Sequence, residues 1–414
     1  MNAAGQPTFI GVPEDILPFI LSELPVESSR IQQVFRMVAA QVLDGDAICL
    51  SPEQRRLFLD VCRCRTANCG FNLEVCEKCG CKKIHYNSCG NRNCPICGEL
   101  GRELWVDERA SEVIDAAYYH AVFTCPHELN PLFLANRKLL FSMLHQCVGQ
   151  AIVELSADPR YLGAVPGIIQ VLHTWSQELL FHPHIHAVIS GGGLTPDRHL
   201  KTLAKDSFFI PESVLSAKFR GKFLAALDLA WKQGRLELTG DAQKLRSSYE
   251  WNRFRDRLYR CRWVAKVKET FNGKGNAIEY LGRYANKVGI TDSRIVSVGK
   301  DKVVFTARGE DGKQSRTVTL TPLEFVMRFL LHVLPKGFQK IRYFGYLNNR
   351  SRKKNLTLIF NLQGYRQYIQ KYKGLSKAKV LLQKWGHDVT ECPHCKAHAL
   401  LVLFSWRNKR PHPA

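Results

Sequence analysis

Apolar residues along ESSRIQQVFRMVAAQVL (27–43) fall at Ile31, Val34, Phe35 and Val38, the i, i+3, i+4, i+7 spacing that lines one face of a helix. SPEQRRLFLDVC (51–62) predicts a second helix, with Ser51 as N-cap and Pro52 at the first helical position. The periodicity then stops. Residues 62–98, CRCRTANCGFNLEVCEKCGCKKIHYNSCGNRNCPICG, hold nothing that could build an apolar core, so their order must come from another source.

From about residue 117 the pattern alternates between strand and helix. YYHAVFTC (118–125) predicts a strand and PLFLANRKLLFSMLHQCVGQAIVEL (131–155) a long helix. GIIQVLHTWSQ (167–177) and FHPHIHAVIS (181–190) predict a hairpin joined through Glu178, Leu179 and Leu180. Helices are expected near 212–232 and 250–261, and AIEYLGRYANKV (277–288) predicts another after the turn NGKGN. SRIVSVGKDKVVFTARGEDGKQSRTVTLT (293–321) predicts two or three strands, and TPLEFVMRFLLHVL a helix capped by Thr321. Beyond Pro335 the chain turns basic, with RSRKK and WRNKRPHP, and no internal repeat is visible.

Charge changes the picture from a fold to a partner. The 414 residues carry 59 Lys+Arg against 37 Asp+Glu, a formal net charge of +22, which points to a polyanion and to nucleic acid first. No apolar run approaches the ~20 residues of a bilayer span, and the N-terminus lacks the pattern of a signal peptide. A cytoplasmic, nucleoid-associated protein is the expectation. Most of the fifteen cysteines crowd between Cys62 and Cys97, where a reducing compartment favours metal over disulfides. The scattered Cys49, Cys125, Cys147 and Cys261 read as small buried hydrophobes.

Two knuckles, Cys76-x-x-Cys79 and Cys94-Pro-Ile-Cys97, offer the four thiolates of one tetrahedral structural zinc that replaces the missing core. Cys64, Cys81, His85 and Cys89 are left over for a possible second zinc, as are Cys62 and Cys69, and spacing does not choose among them. Cys392 and Cys395 form half a site, with His387, His394 or His398 as candidate partners.

FHPHIHAVISGGG (181–193) places three histidines on alternate positions of a strand, so His184 and His186 share a face. Core packing has little use for that pattern; a metal site does. The preceding strand can supply a third ligand from Gln177 or His173, with Gln177 nearer the turn, and His182 stands as an outlier. Two imidazoles and an amide oxygen suit an octahedral Mg²⁺ or Mn²⁺ with open positions. The glycines Gly191–Gly193 read as a tight turn. Tyr280 and Tyr284 are i, i+4 on the expected helix and point the same way. A tyrosine phenolate can attack a phosphodiester and hold the cut end covalently, and Lys287, a turn further, could steady the phosphate charge.

His184-Ile185-His186 with its glycines resembles the histidine-hydrophobe-histidine signature of HUH endonucleases. Together with YLGRYANKVGI, NRNCPICG and FLLHVLPKGFQKIRYFGYLNN, it resembles rolling-circle insertion-sequence transposases of the IS91 type, over about Cys64 to Cys395. The resemblance implies an α+β fold with a palm-like central antiparallel sheet, flanking helices and a small zinc-binding module ahead of it. It implies cleavage of single-stranded DNA through 5′-phosphotyrosine links, with His184 and His186 as metal ligands and Tyr280 and Tyr284 as nucleophiles. Gln177, seven residues before His184, falls where related replication proteins place an acidic third ligand, and is preferred to His173 on that ground. Where such transposases often carry a His-Arg pair after the second tyrosine, this chain has Asn286-Lys287.

The expected organisation is a helical segment at 1–60, a zinc module at 61–105, a nuclease domain at 106–300 and a basic C-terminal region at 301–414. No ATP-binding loop is present, so strand unwinding falls to host replication or helicase factors. A plasmid replication initiator or relaxase-like nicking protein shares the chemistry. A non-catalytic zinc-dependent DNA-binding regulator is the rival from another class.

Overall fold

The computed structural model describes residues 29–44, 48–203, 210–271, 282, 289–309, 314–364 and 368–407. Its strands, in chain order, are β1 (Phe71–Cys76), β2 (Lys82–Tyr86), β3 (Tyr118–Thr124), β4 (Val165–Trp175), β5 (Phe181–Leu194), β6 (Leu200–Thr202), β7 (Val264–Phe271), β8 (Ile295–Val298), β9 (Val303–Arg308), β10 (Ser315–Leu320), β11 (Ile341–Gly345) and β12 (Leu400–Trp406). The chain divides into two compact units, each assembled from separated segments.

One unit comprises residues 105–287 and 334–371. Its centre is a sheet in the order β11-β4-β5-β3-β7, every neighbouring pair antiparallel, with β6 added to β5. The period-two alternation of its strands separates two faces. Ala121, Phe123, Ile168, Leu172, Ile185, Ala187 and Ile189 turn to one side, into the large core formed with the helices Arg137–Ala157 and Glu212–Lys232. On that side His145 Nδ1 lies 2.9 Å from the Gln170 side-chain amide. On the opposite face Tyr118, Ile169, Val171 and Val188 pack with Trp105, Val106 and the helix Arg352–Gln363 through Leu356, Ile359 and Phe360.

Gly191–Gly193 are strand residues of β5 and not a turn. A Cβ on Gly193 would fall 2.5 Å from the Val165 carbonyl oxygen, so close strand approach is what demands glycine there.

The other unit takes residues 1–104, 288–333 and 372–414. Described residues from the segments expected at 1–60 and 61–105 therefore share one compact unit with two later stretches of chain, and 334–371 falls in the unit of the large sheet. Ser51 and Thr321 cap their helices as anticipated, each accepting from the backbone N–H three residues on. Phe35 stacks on Phe58 and meets Phe329 edge-on, tying the helices Arg30–Met37, Pro52–Arg63 and Pro322–Leu330 into one cluster. Two small sheets complete the unit, β10-β9-β8 and β12-β1-β2. The second is a composite, because β12 arrives from more than 300 residues downstream to pair antiparallel with β1. Of the scattered cysteines, Cys125 and Cys147 are buried, whereas Cys49 is exposed and Cys261 half-buried, so only the first two serve as core.

Candidate functional site

The face of the large sheet that carries Ile169, Val171 and Val188 becomes polar towards one end. Along β5 it continues through His186 and His184, and along β4 through His173, which stands directly opposite His184 in the antiparallel register. His173, His184 and His186 each bring one ring nitrogen to within 4.8 Å of the others. The Nε2 atoms of His184 and His186 are 3.1 Å apart. His184 Nδ1 donates to the His182 carbonyl at 2.7 Å, which leaves the Nε2 lone pair for a ligand. Burial, reinforced by His182 and His120 nearby, lowers the His184 imidazole to about 4, so it is neutral at physiological pH. Three convergent imidazoles are a donor set that fits a divalent transition metal.

The third member of the cluster is His173. Strand β4 ends at Trp175, and Gln177 lies exposed in the connecting turn, whereas His173 is held on the strand by pairing across to β5. Counting residues back from His184 assumes a strand that reaches Gln177; the hairpin leaves the sheet two residues earlier.

A fourth histidine was not legible in the sequence. His120 on β3 is buried, its ring stacked on that of His186 at 5.2 Å, with its Nε2 3.0 Å from His186 Nδ1. If His186 uses Nε2 for a metal, its proton resides on Nδ1 and His120 must accept it, with its own proton on Nδ1. A signal existed in the strand parity of YYHAVFT, but a lone histidine in an apolar strand does not announce a partner 66 residues away.

Two cations flank this end of the sheet. Val122 of β3 faces His186 on one side and Lys266 of β7 on the other, so the exposed Lys266 shares the histidine face one strand further out. On the opposite flank, Trp175 stacks on His173 at 4.4 Å and Lys340 Nζ lies 5.0 Å from the Trp175 ring centroid. Tyr280, Tyr284 and Lys287 lie outside the described residues.

The cysteines form two four-thiol clusters, and their grouping corrects the sequence expectation. Cys94 and Cys97 meet Cys64 and Cys89, while Cys76 and Cys79 meet Cys392 and Cys395. The two central knuckles thus do not share one site. Each pairs with cysteines that linear spacing could not choose, because the chain returns to β1 only at β12. Cys64 and Cys89 belong to a cluster; Cys81 and His85 belong to neither, Cys81 packing beside the second and His85 sitting on β2 opposite Asn72. In the first cluster Cys89 and Cys97 Sγ are 3.6 Å apart. Hydrogen bonds from Cys64, Cys89 and Cys94 hold the Cys97 thiol far below the ordinary thiol range. Cys64, Cys89 and Cys97 together with burial push Cys94 far above it, and a cation held by all four would offset the thiolate charge. The donor set and its burial, with Cys64, Cys89 and Cys94 buried and Cys97 half-buried, fit a closed structural zinc.

Residues 34–125 match the family described as "Transposase zinc-binding domain", and residues 167–355 that described as "Putative transposase". The chain is 35% identical over 366 residues to the "Putative transposase y4qJ" of Sinorhizobium fredii, covering 86% of this chain and 90% of that protein. It is 29% identical over 297 residues to the "Transposase for insertion sequence element IS801" of Pseudomonas savastanoi pv. phaseolicola, covering 69% of this chain and 68% of that one. No solved structure matches. Among the described residues no helix is long and apolar enough to cross a membrane. With a structural zinc-binding module, a central antiparallel sheet and these relatives, the chain belongs to the IS91-type insertion-sequence transposases.

Proposed function

We propose that this transposase cuts and rejoins one strand of DNA at the ends of its element by tyrosine attack, assisted by a divalent metal on His173, His184 and His186. The observation that carries the reading is the convergence of three imidazole nitrogens within 4.8 Å at one end of the sheet face. Such a metal, when bound, polarises the scissile phosphate and offsets charge on the leaving oxygen. Three nitrogen ligands are softer than the two nitrogens and one oxygen anticipated from Gln177. They favour Mn²⁺ over Mg²⁺.

The remaining chemistry belongs to the protein's own side chains. The phenolate of Tyr280 or Tyr284 attacks phosphorus, and the P–O3′ bond breaks. The departing 3′ oxygen takes a proton, leaving a free 3′-hydroxyl and a 5′-phosphotyrosine. Attack by a 3′-hydroxyl on that phosphotyrosine then joins the strands and returns the tyrosine, so bond energy is conserved and no nucleotide cofactor is consumed. Lys287, and Lys266 from β7, would hold phosphate charge. The substrate strand must be single, and host replication or helicase factors supply the unwinding. The zinc-binding unit and the +22 net charge fit a DNA grip in the nucleoid.

The test incubates purified protein with labelled single-stranded oligonucleotides spanning an element end and Mn²⁺ or Mg²⁺. A covalent protein–DNA adduct that is lost in Tyr280→Phe/Tyr284→Phe supports the reading. Sequence-specific binding with no adduct in any metal sinks it in favour of a DNA-binding regulator.

A further inference from the structure

The family match to a zinc-binding domain ends at residue 125, yet half of the second cysteine cluster lies far beyond it, at Cys392 and Cys395. The two halves are built alike. In the first, the Gly80 N–H donates to the Cys76 carbonyl at 2.8 Å and the Cys76 N–H to the Cys81 carbonyl at 2.9 Å. In the second, the Lys396 N–H donates to the Cys392 carbonyl at 2.9 Å and the Cys392 N–H to the Ala397 carbonyl at 2.8 Å. The residue after each second cysteine is left-handed, Gly80 at φ +70° and Lys396 at φ +60°. That conformation is ordinary for glycine and uncommon for lysine, so the turn is imposed on the C-terminal segment by what it encloses.

The sulfur geometry says what that is. Cys76 Sγ lies 3.6 Å from Cys395 Sγ, and Cys79 Sγ lies 3.6 Å from Cys392 Sγ. A disulfide requires ~2.05 Å. Thiolates on a tetrahedral zinc, with Zn–S bonds of ~2.3 Å, stand about 3.8 Å apart. The apolar support is slight: Cys76, Cys392 and Leu400 are its buried members. From this we infer that Cys76, Cys79, Cys392 and Cys395 bind a second structural zinc, distinct from that of Cys64, Cys89, Cys94 and Cys97. This zinc staples the C-terminal segment to the N-terminal module. The staple sits where β12 begins: Leu400 pairs with Cys76, and the Glu77 N–H donates to the Ala399 carbonyl at 3.0 Å. The metal therefore pins the start of β12 to the end of β1, adding to the strand pairing and the packing of Phe71 on Phe404 and Trp406 that hold the two strands together.

The experiment counts zinc in the full-length protein by native mass spectrometry. Wild type holds two ions, Cys392→Ser/Cys395→Ser holds one, and adding Cys94→Ser/Cys97→Ser removes the last. One ion in wild type, or two in Cys392→Ser/Cys395→Ser, overturns the inference. Should the variants fail to fold, thiol alkylation of wild type decides. Cys392 and Cys395 are protected until a chelator is added, after which they react and trypsin cuts at Lys396. Equal labelling with and without chelator overturns the staple, as does a Cys76–Cys395 or Cys79–Cys392 disulfide in the untreated protein.

Discussion

His120 Nε2 stands 3.0 Å from His186 Nδ1, between two strands of the central sheet, with the rings stacked nearly parallel at 9°. The pair orients His186 so that its other nitrogen faces His184. Outer partners of metal-bound histidines set both tautomer and basicity, and their loss typically weakens metal binding ~10- to 100-fold. His120→Ala should lose Mn²⁺ affinity in that range, read by titration calorimetry or by the EPR signal of free Mn²⁺. His120→Gln, which returns an acceptor near the same place, should recover much of it. A variant that keeps full affinity would reduce His120 to packing.

His173→Ala should abolish Mn²⁺ binding and the covalent DNA adduct, while Gln177→Ala leaves both unchanged. The contrast follows from His173 facing His184 across the hairpin while Gln177 lies past the end of β4. Loss of the adduct in Gln177→Ala with His173→Ala still active would restore the ligand set expected from spacing.

Lys266→Ala should weaken single-stranded DNA binding without changing metal affinity. Removing one cation from a backbone phosphate makes log affinity less steep against log salt, by ~0.7 for single strands. An unchanged slope would show that the DNA does not cross the β7 flank of the histidine face.

Stability should fall on acidification in a way that reports on His145. Burial lowers this imidazole to about 3, so the folded protein keeps it neutral while the unfolded chain protonates near the ordinary ~6.5. Its contribution is whole above pH ~6.5 and is lost as pH drops towards 3. His145→Phe should therefore show a shallower fall in urea midpoint between pH 6 and 4.5, by at most one proton's worth, about 1.4 kcal/mol per pH unit. An identical slope in both proteins would mean that other groups carry the dependence.

Much of this architecture is local in origin. Ser51 and Thr321 announce their helices because an N-cap needs only the next three residues. The hairpin of β4 and β5 is equally short-range, and alternation alone puts His184 and His186 on one face. The zinc-binding character of residues 62–98 follows from its paired cysteines, but the expectation that the stretch has no apolar core fails, because Phe71, Leu73 and Ile84 form a small buried cluster with Phe404 and Trp406 of β12.

What sequence could not settle is every pairing that depends on where a strand ends or who its neighbour is. Strand β4 ends at Trp175, two residues before Gln177, and it is His173 that converges with His184 and His186. Pairing of β3 with β5 brings His120 to His186, and pairing of β12 with β1 divides the cysteines into Cys64/Cys89/Cys94/Cys97 and Cys76/Cys79/Cys392/Cys395. Residue types and their periodicity determined that this chain has a histidine face and thiolate knuckles. Long-range strand pairing decided which side chains complete them, because a ligand set is defined by distances of a few ångströms that linear separation does not encode.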